Sequence, residues 1–130
     1  MLYENKDQIK RNKGGAIQVK KNNKNEILNK TTELMRRIIL ANNLKKQDIV
    51  AVFFTVTPEI NKEYPAYALR EIGLNYVPAL CAKEIDVPGA MKKVIRALVL
   101  AYTDLKPEEI RHQYLGQTWI LRPDLSGAKE

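Results

Sequence analysis

VIRALVLAY, residues 94–102, is apolar on both faces of an extended chain and is broken only by Arg96. Successive strand residues point to opposite sides, so such a strand needs apolar cover above and below. Ile49 to Thr55 (IVAVFFT) reads the same way, as a short buried strand ended by Thr57-Pro58. The rest of the chain has to supply what covers these two strands.

The clearest helix supplies part of that cover. Ile27, Leu28, Thr31, Leu34, Met35 and Ile38 recur at three- and four-residue steps and share one face. Asn23 is placed to cap it, Glu26 completes a capping-box-like pair, and the helix is expected to end near Asn42–Asn43. A second helix is predicted from about Pro65 through Ala68, Leu69 and Ile72, stopping at Gly73. Further strands are predicted at Gly15–Lys20 and Tyr76–Ala82. Val87-Pro88-Gly89 marks a loop and Pro107 a short turn. Ile110–Leu115 and Thr118–Arg122 read as a hairpin about Gly116-Gln117. Residues 1–13 lack periodicity and read as a frayed lead-in, while Pro123 and Asp124 end the ordered pattern.

Strands interleaved with helices in one small chain give an α+β (α/β-like) layer, a mixed sheet with two main helices. Two helices can scarcely cover both faces of that sheet. Other subunits are expected to cover the remainder.

A chain of 130 residues is long enough for one domain and too short for two. The single cysteine, Cys81, excludes an intrachain disulfide and fits a reducing cytoplasm. No apolar run approaches the roughly 20 residues that span a bilayer, and MLYENKDQIKRNK contains no apolar signal segment. The net charge of +7 lies mainly at one end, where residues 1–25 hold seven Lys/Arg and two acids. That end could touch nucleic acid by neutralising phosphate, with residues 6–24 as the contact. Its first reading is a solvated arm, so no nucleic-acid partner is expected.

Several familiar chemistries are missing. His112 is the only histidine, and no second cysteine or histidine completes a metal site. The chain has no glycine-rich phosphate loop and no G-x-S-x-G elbow. What remains is a set of isolated polar residues, each with an ordinary explanation. Arg96 could be an internal ion-pair partner or a strand-end group reaching water. Glu84 could be a loop carboxylate, Cys81 a small core residue, Tyr114 a packed aromatic. Arg70 could be a helix C-terminal charge and Arg122 a surface charge.

Seven stretches taken together resemble a known family. They are FTVTP (54–58), YPAYALRE (64–71), YVP (76–78), CAKEIDVPG (81–89), KVIR (93–96), IRHQYL (110–115) and LRPDL (121–125). Their order and spacing resemble the monofunctional bacterial chorismate mutases of the trimeric pseudo-α/β-barrel class, over about residues 14–125. The resemblance implies rearrangement of chorismate to prephenate, an intramolecular Claisen shift on the route to phenylalanine and tyrosine. It implies a homotrimer with sites between subunits, a cytoplasmic location, and no cofactor, metal or membrane partner. No bond to the enzyme forms in this reaction. The protein holds a dianion in a near-attack shape and meets the charge that develops.

By that resemblance Arg96 contacts the ether oxygen and a carboxylate, and Glu84 accepts a hydrogen bond from the ring hydroxyl. Tyr114 donates to the enolpyruvyl carboxylate, and Cys81 lines the same side with its neighbour Leu80. Tyr64, Ala66 and Arg70 resemble positions contributed by a neighbouring subunit. Leu121 and Arg122 resemble the C-terminal segment that closes the pocket.

Two positions depart from the family pattern. Its first strand reads close to R-G-x-R-G-A, whereas this chain has Arg11-Asn12-Lys13-Gly14-Gly15-Ala16. Anchoring on Gly15-Ala16 puts Gly14 where the family has an arginine that binds substrate carboxylate. Lys13 is adjacent; alternation sends it to the other face, and a bulge or slip would turn it inward as a substrate-binding group. Tyr67 stands where a lysine is common. The departure at Gly14 motivates a second reading, a weakened or non-catalytic relative that binds a dicarboxylate.

Overall fold

Strand β4 (Val94–Thr103), which contains the stretch apolar on both faces, takes the middle of a single mixed sheet of order β3-β2-β4-β1-β5. The computed structural model describes residues 9–126. Strand β4 is antiparallel to β1 (Ile9–Gln18) and to β2 (Ile49–Val56). β3 (Ala79–Lys83) runs parallel to β2, and the two-residue β5 (Gln113–Tyr114) runs parallel to β1.

Helix α1 (Lys24–Ala41) covers one face of this sheet. Its N-terminus forms where the pattern placed it: Asn23 Oδ1 accepts the Glu26 N–H at 2.8 Å. Glu26 reaches back past the cap and accepts the Lys20 N–H at 2.9 Å. Ile27, Thr31, Leu34, Met35 and Ile38 form the buried side of the helix. They share a core with Val52 and Phe54 of β2 and Ile95, Ala97, Val99 and Ala101 of β4, all buried. Thr31 enters this apolar layer without an orphaned hydroxyl, because its Oγ1 donates to Ile27 O at 2.7 Å. A 3₁₀ turn, Pro65–Tyr67, leads into the short helix α2 (Ala68–Glu71), which packs beside α1. Gly73 ends this region with φ +76°, a left-handed value that suits glycine.

The opposite face of the sheet is left open. Phe53 is 41% exposed, Leu98 40% and Leu80 66%. The two-sided apolar strands thus have one face covered by helices and one face that the described residues do not cover.

Four expectations about elements change. Strand β1 begins at Ile9, well before Gly15, and pairs without a break from Ile9↔Thr103 to Gln18↔Val94. Ten-residue β4 offers ladder partners along that whole length, so Ile9 and the polar residues 10–13 are drawn into the sheet. Residues 1–8 of the expected lead-in lie outside the described residues. Strand β3 begins at Ala79, because Val77 N donates to Leu74 O at 3.0 Å and closes a turn first.

The expected hairpin at Ile110–Leu115 and Thr118–Arg122 does not form. Gly116 turns at φ +64° and residues Gly116–Leu121 coil into a 3₁₀ segment. The hydroxyl of buried Thr118 is shared between Leu115 O at 2.7 Å and Ala16 O at 3.1 Å, and the second contact ties that segment to β1. Leu115 N donates to the Ala16 carbonyl at 2.9 Å, so the preceding residues pair with β1. Finally, Pro123 and Asp124 open a short helix, α3 (Pro123–Ser126), where the sequence suggested an end. Proline's fixed φ suits the first turn of a helix.

Candidate active site

Strand register assigns each functional side chain to a face. Tyr114 pairs with Ala16, Ala16 with Arg96, Arg96 with Thr55, and Thr55 with Ala82. Directly paired residues project to the same side, so one row crosses all five strands on the open face. Glu84, two residues beyond Ala82, returns to that side; its N–H donates to Val56 O at 2.8 Å, which carries the β2 pairing past the end of β3. Arg96 and Glu84 meet with Nη1 and Oε2 3.8 Å apart. Thr55 Oγ1 donates a short hydrogen bond to the same Glu84 oxygen.

The adjacent row brings Gly14 opposite Leu98, and Leu98 opposite Phe53. The two rows border an open cavity of about 290 Å³, whose walls include Arg96, Glu84, Tyr114, Arg122, Gly14 and His112. A second, smaller hollow continues past Arg96 and Glu84 to Leu121. Leu121 is brought there by the 3₁₀ segment that Thr118 pins to β1. The cavity volume lies at the lower end of the roughly 300–1,000 Å³ typical of small-ligand sites.

Arg96 and Glu84 are only partly paired, which leaves donors and acceptors of opposite charge facing one cavity. Among the described residues Glu84 is the only carboxylate within ion-pair distance of Arg96. Arg122 binds Asp124 in a two-point contact, Nε to Oδ1 at 3.0 Å and Nη2 to Oδ2 at 2.7 Å. That contact raises the Arg122 pKa and lowers that of Asp124. Burial, with the charges of Arg122 and Lys13, lowers the pKa of His112, and Asp124 opposes the shift.

Two of the expected site residues fall on the other face. Lys13 pairs with Val99 and is fully buried on the helix side, where its Nζ donates to Arg11 O at 3.1 Å and Ala101 O at 3.4 Å. The unbroken β1–β4 register contains no bulge to turn it, so Lys13 is not a group of this cavity. Burial, then the charge of Arg11, lowers its pKa from 10.5 to about 8. Cys81 pairs with buried Phe54 and packs against the core, so its thiol does not share the side of Arg96. Burial raises the thiol pKa, against a backbone hydrogen bond from Ala66.

Cys81 and Tyr64 instead line a separate hollow with Lys83 and Pro65. Tyr64, 63% exposed, and Ala66 belong to the segment that leads into α2. The Arg70 guanidinium lies 5.0 Å from the centre of the Tyr67 ring, and Tyr67 stands edge-on to Tyr64. Leu80 is exposed on β3. The chain therefore groups Arg96, Glu84, Tyr114, Arg122 and Leu121 around one cleft, and Tyr64 and Cys81 around another.

The sequence did not point to Thr55 or His112 as members of the first group. Thr55 lies within the quoted FTVTP stretch, and His112 is two residues before Tyr114, the strand spacing that shares a face. Among the described residues no cluster of three or more His, Cys, Asp or Glu side chains could hold a metal ion. No helix is long and apolar enough to cross a membrane, again among the described residues.

Comparison with known proteins places the chain in a family. The family model described as Chorismate mutase type I matches residues 11–125. The chain is 42% identical over 116 residues to the chorismate mutase AroH of Bacillus subtilis, covering 88% of this chain and 91% of that protein. It is 40% identical over 116 residues to the AroH of Thermus thermophilus, covering 88% and 95%. Among solved structures it is similar to a chorismate mutase from Clostridium thermocellum, with a TM-score of 0.82 at 34% identity, covering 85% of this chain and 98% of that one.

Proposed function

This chain belongs to the chorismate mutase type I family, and we propose that it rearranges chorismate to prephenate in the cleft between Arg96, Glu84 and Tyr114. The observation that carries this reading is the placement of a fixed cation, a carboxylate and a phenol around one open cavity. The site holds no nucleophile with a partner base, and the rearrangement needs none. One C–O bond breaks as one C–C bond forms within the same molecule, so no cofactor and no proton transfer is required.

The chemistry assigns the roles. Partial negative charge grows on the ether oxygen as its bond to the ring lengthens. A guanidinium cannot lose its proton at working pH, so Arg96 meets that charge with a fixed one. Glu84, with one oxygen held by Thr55, keeps acceptor capacity for the ring hydroxyl. It orients the substrate and takes no proton. Tyr114 offers a phenolic donor to a carboxylate, and Arg122 stands beside it on the C-terminal segment. Leu121 closes the hollow above Arg96. Holding the dianion folded, with the reacting carbons close, removes an entropic part of the barrier.

The assembly in this reading is a homotrimer, a pseudo-α/β-barrel, in the cytoplasm. The open apolar face of the sheet supports it, since Phe53, Leu98 and Leu80 need a partner surface. Tyr64, Ala66, Arg70 and Cys81 then serve the site of a neighbouring subunit from their own side of the sheet. The cavity's low volume and open side fit a site that lacks one wall.

Gly14 favours one competing reading. It presents no side chain to the cavity, so the chain could bind a dicarboxylate without converting chorismate. Incubation with chorismate separates the two. The proposed function requires loss of chorismate absorbance with prephenate as the product. Binding without conversion would replace it with the second reading.

A further inference from the structure

His112 is the one side chain of the cavity wall whose position is fixed at both ends and whose role the rearrangement leaves unassigned. Asn42, buried at the C-terminus of α1, holds the preceding residue by both backbone groups. Arg111 N donates to its Oδ1 at 2.8 Å, and its Nδ2 donates to Arg111 O at 3.0 Å. The following residue, Gln113, is already paired with Gly15 in the sheet. Between these two anchors the imidazole Nδ1 accepts the Gly14 N–H at 2.9 Å and extends the β1–β5 contact by one rung.

That hydrogen bond decides the tautomer. Nδ1 uses its lone pair as an acceptor, so in the neutral ring the proton is on Nε2. Burial, then the charges of Arg122 and Lys13, favour the neutral ring, with Asp124 opposing. A Cβ at residue 14 would lie 3.7 Å from Nδ1; glycine leaves the ring uncovered on the cavity side. His112 lines the wall that holds Arg96 and Tyr114, and with Arg111 and Asp124 it also borders a neighbouring hollow.

We propose that His112 is a substrate-binding residue, whose Nε2–H donates to a carboxylate of the bound dianion while Nδ1 is held by Gly14. The inference rests on the chorismate reading of the same cleft. Such a contact exists before and during the rearrangement, so it acts on binding and leaves the chemical step almost unchanged.

Two variants of the full chain separate this role from a structural one. His112→Asn keeps an acceptor near the Nδ1 position and loses the outward donor. His112→Gln places an amide N–H near the Nε2 position. Steady-state kinetics on chorismate should show KM about tenfold higher for His112→Asn, with kcat within about twofold, the size expected for one hydrogen bond to a charged group. His112→Gln should keep KM closer to wild type. An unchanged KM in a folded His112→Asn would overturn the proposal. So would equal damage to KM in both variants, accompanied by equal losses in melting temperature. Wild type assayed in parallel keeps the two levels apart: no conversion by wild type overturns the chorismate reading, and this proposal falls with it. Conversion by wild type with KM unmoved in His112→Asn overturns this proposal alone.

Discussion

Arg96 is the residue on which the proposed chemistry depends most. It is the single charge within an apolar strand, which made it conspicuous in the sequence, and the register puts it between Ala16 and Thr55 on the open face. Arg96→Ala should lower kcat by at least the roughly 10²–10³-fold that follows loss of one preorganised donor. Arg96→Lys should also be poor, because an ammonium lacks the planar fork. A lysine variant with near-native turnover would contradict the assigned role. Gly14 gives the opposite kind of test. Its position has room for a side chain, with the nearest atoms to a Cβ at 3.5 to 3.7 Å. Gly14→Arg would place a guanidinium beside the imidazole and supply a charged carboxylate contact, worth about tenfold or more in kcat/KM. No gain in kcat/KM from a folded Gly14→Arg would remove substrate carboxylate from this part of the wall. The parity of Lys13 and Gly14 was open in the sequence, because either a straight or a bulged strand fitted the letters; the unbroken ladder to β4 settles it.

At the scale of elements, strong periodicity was legible and pairing was not. The α1 face, the apolar runs of β2 and β4 and the stop at Gly73 follow from patterns local to each segment. The first half of β1 is a strand only because a partner is present, and its mostly polar residues do not signal it; β5 falls inside the expected strand Ile110–Leu115 but pairs with β1 instead of residues 118–122. Trp119, Ile120 and Leu121 looked strand-like, yet Thr118 commits their segment to β1 through a side-chain hydrogen bond that no hydrophobic pattern encodes. Lys13 makes a prediction at this scale. Its ammonium is buried under α1 with a pKa lowered from 10.5 to about 8, so at pH 7 the fold carries a desolvated charge. Lys13→Met should melt at a higher temperature than wild type at pH 7. A lowered folded-state pKa means the lysine's stability contribution is complete above the unfolded value and lost as pH falls through the folded one. The gap between variant and wild type should therefore narrow as pH rises from 8 to 10.5. Activity should be unaffected. A destabilised Lys13→Met, or a gap independent of pH, would contradict this account of the buried amine.

The whole molecule is half of a solution. One face of the sheet is covered by α1 and α2, while the other exposes Phe53, Leu98 and Leu80 beside a cavity with an open side. The sequence foretold this shortage of cover, since two helices could not bury strands that are apolar on both faces. It could not say which site residues belong together, because Cys81 and Arg96 are brought to opposite faces by pairing alone. In the proposed function the site is completed across two subunits, with Arg96 from one chain and Arg70 from its neighbour. Subunit complementation measures this directly. Arg96→Ala and Arg70→Ala chains, each nearly inactive alone, are unfolded, mixed in equal amounts and refolded together, and chorismate conversion is followed. In randomly assembled cyclic trimers about three quarters are mixed and each of these has one intact site in three, so the mixture should recover about a quarter of wild-type activity. A mixture no more active than its separate components would contradict a site shared between subunits.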